Sequence, residues 1–129
     1  MKELKLLYCE HCKKIVEVVN DTAVPVMCCG QKMTEIKANS TEAAVEKHLP
    51  VINADGQKVT VTVSTVEHPM IDTHYITNIW LETDKAMYKK SLIPNEKPEA
   101  VFYVAEGEKV VAAYEYCNLH GLWKTEARS

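Results

Sequence analysis

The chain has 129 residues, 47% of them apolar and 26% charged, the balance of one ordinary globular domain, or a small one plus an appendage, rather than of a disordered or fibrous chain. A net charge of −3 excludes a general polyanion binder, which needs clustered positive charge. No apolar stretch approaches the ~20 residues of a transmembrane helix. Met1-Lys2-Glu3-Leu4-Lys5 alternates charged with apolar residues and lacks the apolar run of a secretory signal, so the expected compartment is the cytoplasm.

Residues 1–37 read as a separate unit. Leu4, Leu6 and Leu7 predict a short strand running into Cys9-Glu10-His11-Cys12. Ile15, Val16, Val18 and Val19 predict a second strand, ended by the turn signal Asn20-Asp21-Thr22. Val24-Pro25-Val26-Met27 then leads into Cys28-Cys29-Gly30. So short a piece cannot build a sufficient core and needs a staple such as a metal ion.

Residues 38–129 form the second unit. Asn39-Ser40-Thr41-Glu42 reads as a helix start, with Asn39 as N-cap and Glu42 at the third helical position. Pro50 disfavours helical geometry at Leu49, so this helix should end near His48. The period then changes to two. Val59, Val61 and Val63 alternate with Thr60, Thr62 and Ser64, the pattern of a half-buried strand. Further strands are expected over 76–82, 87–93, 100–104 and 110–116, punctuated by Asp55-Gly56, Glu96-Lys97-Pro98 and Glu106-Gly107. The fold class is mainly β, with a sandwich following the small N-terminal unit.

Five cysteines, an odd number, in a chain without an export signal argue against a disulfide framework. Cys9-x-x-Cys12 is a knuckle that turns two sulfurs to one ion, and the adjacent Cys28-Cys29 supplies a second pair. Four thiolates suit tetrahedral zinc or iron alike. Neighbouring residues place their sulfurs less freely than a knuckle, so a distorted tetrahedron is expected, with Gly30 easing the backbone. His11 lies inside the knuckle and reads as a loop residue, because four sulfurs already complete the site.

His48, His68, His74, Cys117 and His120 form a second, dispersed set, each expected in a loop at a strand end. Five donors including one thiolate do not suit a closed tetrahedral zinc site. Four imidazoles in a plane with a thiolate on the axis leave a sixth position open, and this donor mixture suits iron, copper or zinc. A thiolate opposite an open position donates electron density to whatever binds there. Cys117-x-x-His120 also fits a blue-copper site. Such sites add a methionine just after the histidine, whereas no methionine follows Met87 here.

Together the two sets resemble the desulfoferrodoxin family, the two-iron superoxide reductases, along essentially the whole chain. Cys9-x-x-Cys12…Cys28-Cys29-Gly30 resembles the family's desulforedoxin-type centre. Glu46-Lys47-His48-Leu49-Pro50-Val51 resembles its Glu-Lys-His-Val-Pro loop, with Leu49 a departure. His68-Pro69-Met70 with His74-Tyr75, and Cys117-Asn118-Leu119-His120-Gly121-Leu122-Trp123-Lys124, match its central and C-terminal motifs.

The resemblance implies a desulforedoxin-like four-cysteine iron domain over 1–37 and an immunoglobulin-like β-sandwich reductase domain over 38–129. It implies iron held by Cys9, Cys12, Cys28 and Cys29, as an accessory electron-transfer centre. A second, ferrous iron would be held by His48, His68, His74 and His120 in the plane and Cys117 on the axis, reducing superoxide to hydrogen peroxide. Rubredoxin as electron donor and a homodimer are implied as well. Lys47 would attract superoxide and, through water, help protonate the peroxide; Glu46 would occupy the open position of ferric iron. The ligand thiolate should be tuned by backbone N–H groups around Leu119 and His120. Tyr114, Tyr116 and Trp123 are expected to pack near the site. Two other readings stay open: a non-catalytic two-iron electron carrier, and a zinc-ribbon interaction module fused to a sandwich.

Overall fold

The computed structural model describes residues 3–40, 48–64 and 68–127, and every regular element among them is a strand. The chain divides into two units, Met1–Lys37 and Ala38–Ser129.

In the first unit β1 (Leu6–Tyr8) lies between β2 (Ile15–Glu17) and β5 (Thr34–Glu35), while β3 (Met27–Cys28) and β4 (Gln31–Lys32) form a hairpin. The second predicted strand is cut short. Val18 donates its N–H to the Lys5 carbonyl at 2.9 Å, and Val19 stands 79% exposed. The core is Leu7, Cys9 and Met33, with Val16, Val18 and Cys28 packed against it. Ile15, Val19, Val24, Val26 and Met27 remain exposed. Two cysteines thus belong to a core of very few side chains, which ties the stability of this unit to whatever the sulfurs bind.

The second unit is a two-sheet sandwich. One sheet has the order β10 (Glu99–Tyr103), β7 (Lys58–Val63), β6 (Pro50–Asp55). The other has the order β12 (Gly121–Glu126), β11 (Val110–Cys117), β8 (Ile76–Thr83), β9 (Met87–Ser91). All pairings are antiparallel. The period-two valines Val59, Val61 and Val63 pack against Ile76, Ile79, Leu81, Phe102, Ala113 and Cys117.

Two strands differ from the sequence expectation. β6 closes a hairpin with β7 through Gly56-Gln57, pairing Asp55 with Lys58 and Pro50 with Val63. Its residues after Ile52 are exposed and polar or small, so no alternation marks it. The segment 117–121 does not follow the last strand. It is the loop of a hairpin in which Cys117 pairs with Gly121 and the chain returns as β12. Gly121, at φ 85, allows that return.

The helix expected from Asn39 to His48 falls on residues 41–47, outside the described residues. Asn39 itself is left-handed, at φ 57, and its Oδ1 accepts the Lys124 N–H at 2.8 Å while its Nδ2 donates to the Lys124 carbonyl at 3.1 Å. Both polar atoms of its amide thus bond the backbone of β12.

The registers fix where the loops meet. Pro50 opposes Val63, Cys117 opposes Ile76, and Cys117 opposes Gly121. His48, the 68–75 loop and the 117–121 loop therefore emerge at the same end of the sandwich.

Candidate metal centres

In the first unit the sulfurs of Cys9, Cys12, Cys28 and Cys29 lie within 4.8 Å of one another. Cys12 Sγ is 3.7 Å from Cys28 Sγ, and Cys28 Sγ is 3.9 Å from Cys29 Sγ. A tetrahedron with metal–sulfur bonds of about 2.3 Å has edges of about 3.8 Å, so the four sulfurs fit one ion. The knuckle is set by local backbone. Lys13 N–H donates to the Cys9 carbonyl at 2.8 Å with Lys13 at φ 69, and Cys9 N–H donates to Lys14 at 2.9 Å.

The adjacent pair is solved by a turn. Cys28 and Gln31 are paired, so Cys29-Gly30 is a two-residue hairpin loop, with φ 53 and 72. Positive φ at both positions is the primed turn that suits a tight hairpin. It swings the Cys29 side chain back toward that of Cys28.

The Cys12 backbone N–H, 3.5 Å from the Cys9 sulfur, is the largest influence drawing the Cys9 thiol down to about 6. Cys9 and then Cys12 push the Cys28 thiol up to about 12. Four sulfurs this close cannot all ionise without a cation among them. His11 is exposed and stands outside the group, as its loop position suggests.

In the second unit four imidazoles close a ring. Centroids are 4.9 Å apart for His48–His68, 4.7 Å for His68–His74, 5.1 Å for His74–His120 and 4.9 Å for His120–His48. Each ring is turned by 72–80° from the next. His48 Nε2 and His68 Nε2 are 3.2 Å apart. Neighbouring corners of a square with metal–nitrogen bonds of about 2.1 Å lie about 3.0 Å apart. Donor atoms of His48, His68, His74 and Cys117 lie within 4.8 Å of one another; His120 is outside that tighter group but completes the ring.

His48 and His68 are each 2% exposed and Cys117 0%. Burial first, and then the other three imidazoles, hold the His68 ring down at about 4, so its nitrogen offers a lone pair at neutral pH. His68 Nδ1 lies 2.7 Å from the Pro69 carbonyl, which can only accept, so the proton sits on Nδ1 and Nε2 faces the ring of histidines. Burial raises the Cys117 thiol, while the backbone N–H groups of Leu119 and His120 aim at its sulfur and lower it. The hairpin loop thus supplies the tuning that its sequence suggested.

Among the described residues no carboxylate joins either group. Glu46 and Lys47 lie outside the described residues.

Of the three aromatics, Tyr114 packs away from the donors and gives its hydroxyl to Glu82 at 2.9 Å. Trp123 has a larger part than packing. It stacks on His48 at 5.1 Å and 22°, and its Nε1–H donates to the His120 carbonyl at 3.1 Å. Asn118, next to Cys117, bonds the backbone of Thr73 and Tyr75 on either side of His74.

The donor sets have relatives. The desulfoferrodoxin family model matches residues 40–126. A desulfoferrodoxin of Nitratidesulfovibrio vulgaris is 44% identical over 97% of this chain and 98% of its own. Among solved structures, the superoxide reductase of Treponema pallidum matches with a TM-score of 0.81 at 32% identity, covering 97% of this chain and 100% of that one. The one-iron superoxide reductase of Giardia intestinalis matches with a TM-score of 0.57 at 33% identity, covering 65% and 99%. With those matches, and with donors gathered into one four-sulfur and one imidazole–thiolate group, this chain belongs to the desulfoferrodoxin family.

Proposed function

We propose that this chain is a superoxide reductase with iron at both centres. The observation that carries the reading is the closed ring of His48, His68, His74 and His120 beside the buried Cys117. Those five would hold the reactive iron, the imidazoles as neutral nitrogen donors and Cys117 as a thiolate that donates electron density. Cys9, Cys12, Cys28 and Cys29 are assigned to an accessory electron-transfer iron. In this reading 1–37 is a desulforedoxin-like domain and 38–129 the reductase domain. Superoxide reductases among the structural relatives support it.

Iron bound there in the ferrous state would supply the one electron that, with two protons, turns superoxide into hydrogen peroxide without release of dioxygen. The protein does the rest. Pro69 holds the His68 tautomer, and Trp123 braces the His48 ring and the His120 backbone. Leu119 and His120 N–H groups stabilise the thiolate of Cys117. Lys47, next in sequence to His48, draws the anion in against the net charge of −3 and passes a proton on through water. Glu46, one residue further, would supply a carboxylate to the iron in its oxidised state.

An external one-electron donor such as rubredoxin restores the ferrous state, and the chain works as a homodimer in the cytoplasm. None of the five cysteines is in a disulfide, which leaves each sulfur available to a metal ion. Anaerobic, iron-loaded, reduced protein given superoxide should yield one peroxide per superoxide and no dioxygen. One peroxide per two superoxides with dioxygen released would mean dismutation, and no accelerated loss of superoxide would mean an electron carrier.

A further inference from the structure

Asn118 follows Cys117 as the first residue of the hairpin turn, and three hydrogen bonds tie it to another loop. Its Oδ1 accepts the Tyr75 N–H at 2.9 Å. Its Nδ2 donates to the Thr73 carbonyl at 3.1 Å. Its backbone N–H donates to the Tyr75 carbonyl at 3.2 Å. Thr73 and Tyr75 flank His74. The two backbone groups of His74 itself are spent on Ile71, one bond each way at 3.0 Å. A further brace on the same loop is the Ile76 N–H, 3.3 Å from Met70 Sδ.

We propose that Asn118 is a positioning residue of the reactive centre. By bridging the backbone on both sides of His74, it makes the loop that carries this imidazole and the loop that carries Cys117 and His120 one rigid support. The inference rests on the ligand assignment above.

The chemistry requires an amide. A carboxamide offers one acceptor and two donors in a fork, and it meets one N–H and one C=O two residues apart. Those backbone partners have fixed roles, so the orientation of the amide is forced rather than assigned. Aspartate keeps the bond to Tyr75 N–H but sets an acceptor against the Thr73 carbonyl. Alanine loses both side-chain bonds and keeps the backbone one. Both side-chain bonds are exposed, so water takes the place of the lost partner and the fold survives. The consequence is felt at the metal, because groups that orient ligands typically change metal affinity by ~10–100-fold.

The test uses the full chain loaded with iron at both centres. Parent, Asn118→Ala, Asn118→Asp and His74→Ala are placed in a ferrous chelator, and iron loss is followed separately for each centre by its visible spectrum. Asn118→Ala should release the second iron about 10–100-fold faster and shift its thiolate-to-iron band. Asn118→Asp should fall between it and the parent, and the four-sulfur iron, in the other unit, should be unchanged. His74→Ala serves as the check on the ligand assignment. Loss of the second iron in His74→Ala, with parent-like retention and spectrum in Asn118→Ala, overturns the positioning role alone. Parent-like retention in His74→Ala overturns the ligand assignment itself. A lower melting temperature in Asn118→Ala with unchanged iron release and band would show a structural tie only, and would also overturn the proposal.

Discussion

Cys29 and Gly30 are consecutive left-handed residues, at φ 53 and 72, and this pair is what lets two neighbouring cysteines face one ion. The strain falls on Cys29, which has a Cβ, and Gly30 carries its share at no steric cost. A Cβ at Gly30 would meet nothing within 4 Å, so an alanine there tests backbone conformation without a clash. Gly30→Ala should destabilise the turn by ~1–2 kcal/mol, the penalty of a left-handed residue with a side chain. The first unit should then lose its metal at a lower temperature, while the spectrum of the second centre stays the same. Cys28→Ser goes further. It should abolish the four-sulfur iron and leave superoxide reduction largely intact. Total loss of activity with the second iron still bound would place the first centre on the obligatory path.

The strands legible in the sequence were those with a clean period of two and a buried face. Val59, Val61 and Val63 are 1%, 0% and 1% exposed, and the alternation at 58–63 says as much. β6 was hidden because it lies at the edge of its sheet and turns exposed after Ile52. β12 was hidden because Leu122-Trp123-Lys124 sits inside a motif rich in loop-forming residues. The donors were legible for a chemical reason: histidine and cysteine are scarce and their side chains bind metals wherever they converge. The closed order 48–68–74–120 was not, since it depends on which strand ends meet. Asn118 was least legible of all, because its partners lie 43 and 45 residues away and a lone asparagine in a turn has an ordinary local explanation.

The far side of the sandwich carries a pH-sensitive tie that is separate from both donor groups. Glu108 accepts from the Thr83 hydroxyl, from the Ala105 N–H at 2.8 Å and from the Tyr88 hydroxyl at 2.9 and 3.0 Å. These bonds, that of Thr83 foremost, hold its carboxyl below the ordinary 4.5. A folded pKa below the unfolded one stabilises the fold above the unfolded value, and that contribution disappears as pH falls through the folded value. Glu108→Gln should therefore flatten the acid limb of the stability curve of the second unit. The parent should lose stability below about pH 4.5 more steeply than the variant. Equal slopes in chemical denaturation at pH 3 to 5 would count against the tie, and both iron spectra should be untouched.

Lys47 is assigned to capture rather than to holding the metal. Lys47→Ala should retain both iron spectra and slow the second-order reaction with superoxide. The parent rate should fall as salt rises, because added ions screen attraction over a Debye length of ~10 Å at 0.1 M. The variant should show a shallower dependence. The same rate and the same salt slope in stopped-flow or pulse-radiolysis measurements would remove Lys47 from the mechanism.

Cys117 carries the sharpest expectation. It is 0% exposed, belongs to the sandwich core cluster, and lies beside three imidazoles with its sulfur facing two backbone N–H groups. Serine there exchanges a soft thiolate for a hard hydroxyl that stays protonated at neutral pH. It is also slightly smaller, and a buried hydroxyl that meets the same two N–H groups keeps an acceptor role. The fold should hold, since the valine core and four imidazoles remain. The thiolate-to-iron band of the second centre should vanish, and superoxide reductase activity should fall nearly to zero, because no thiolate remains to donate electron density. The four-sulfur spectrum should persist as an internal standard for loading. A Cys117→Ser protein with its band and activity both near those of the parent would show that the four-histidine, one-cysteine centre is wrongly assigned.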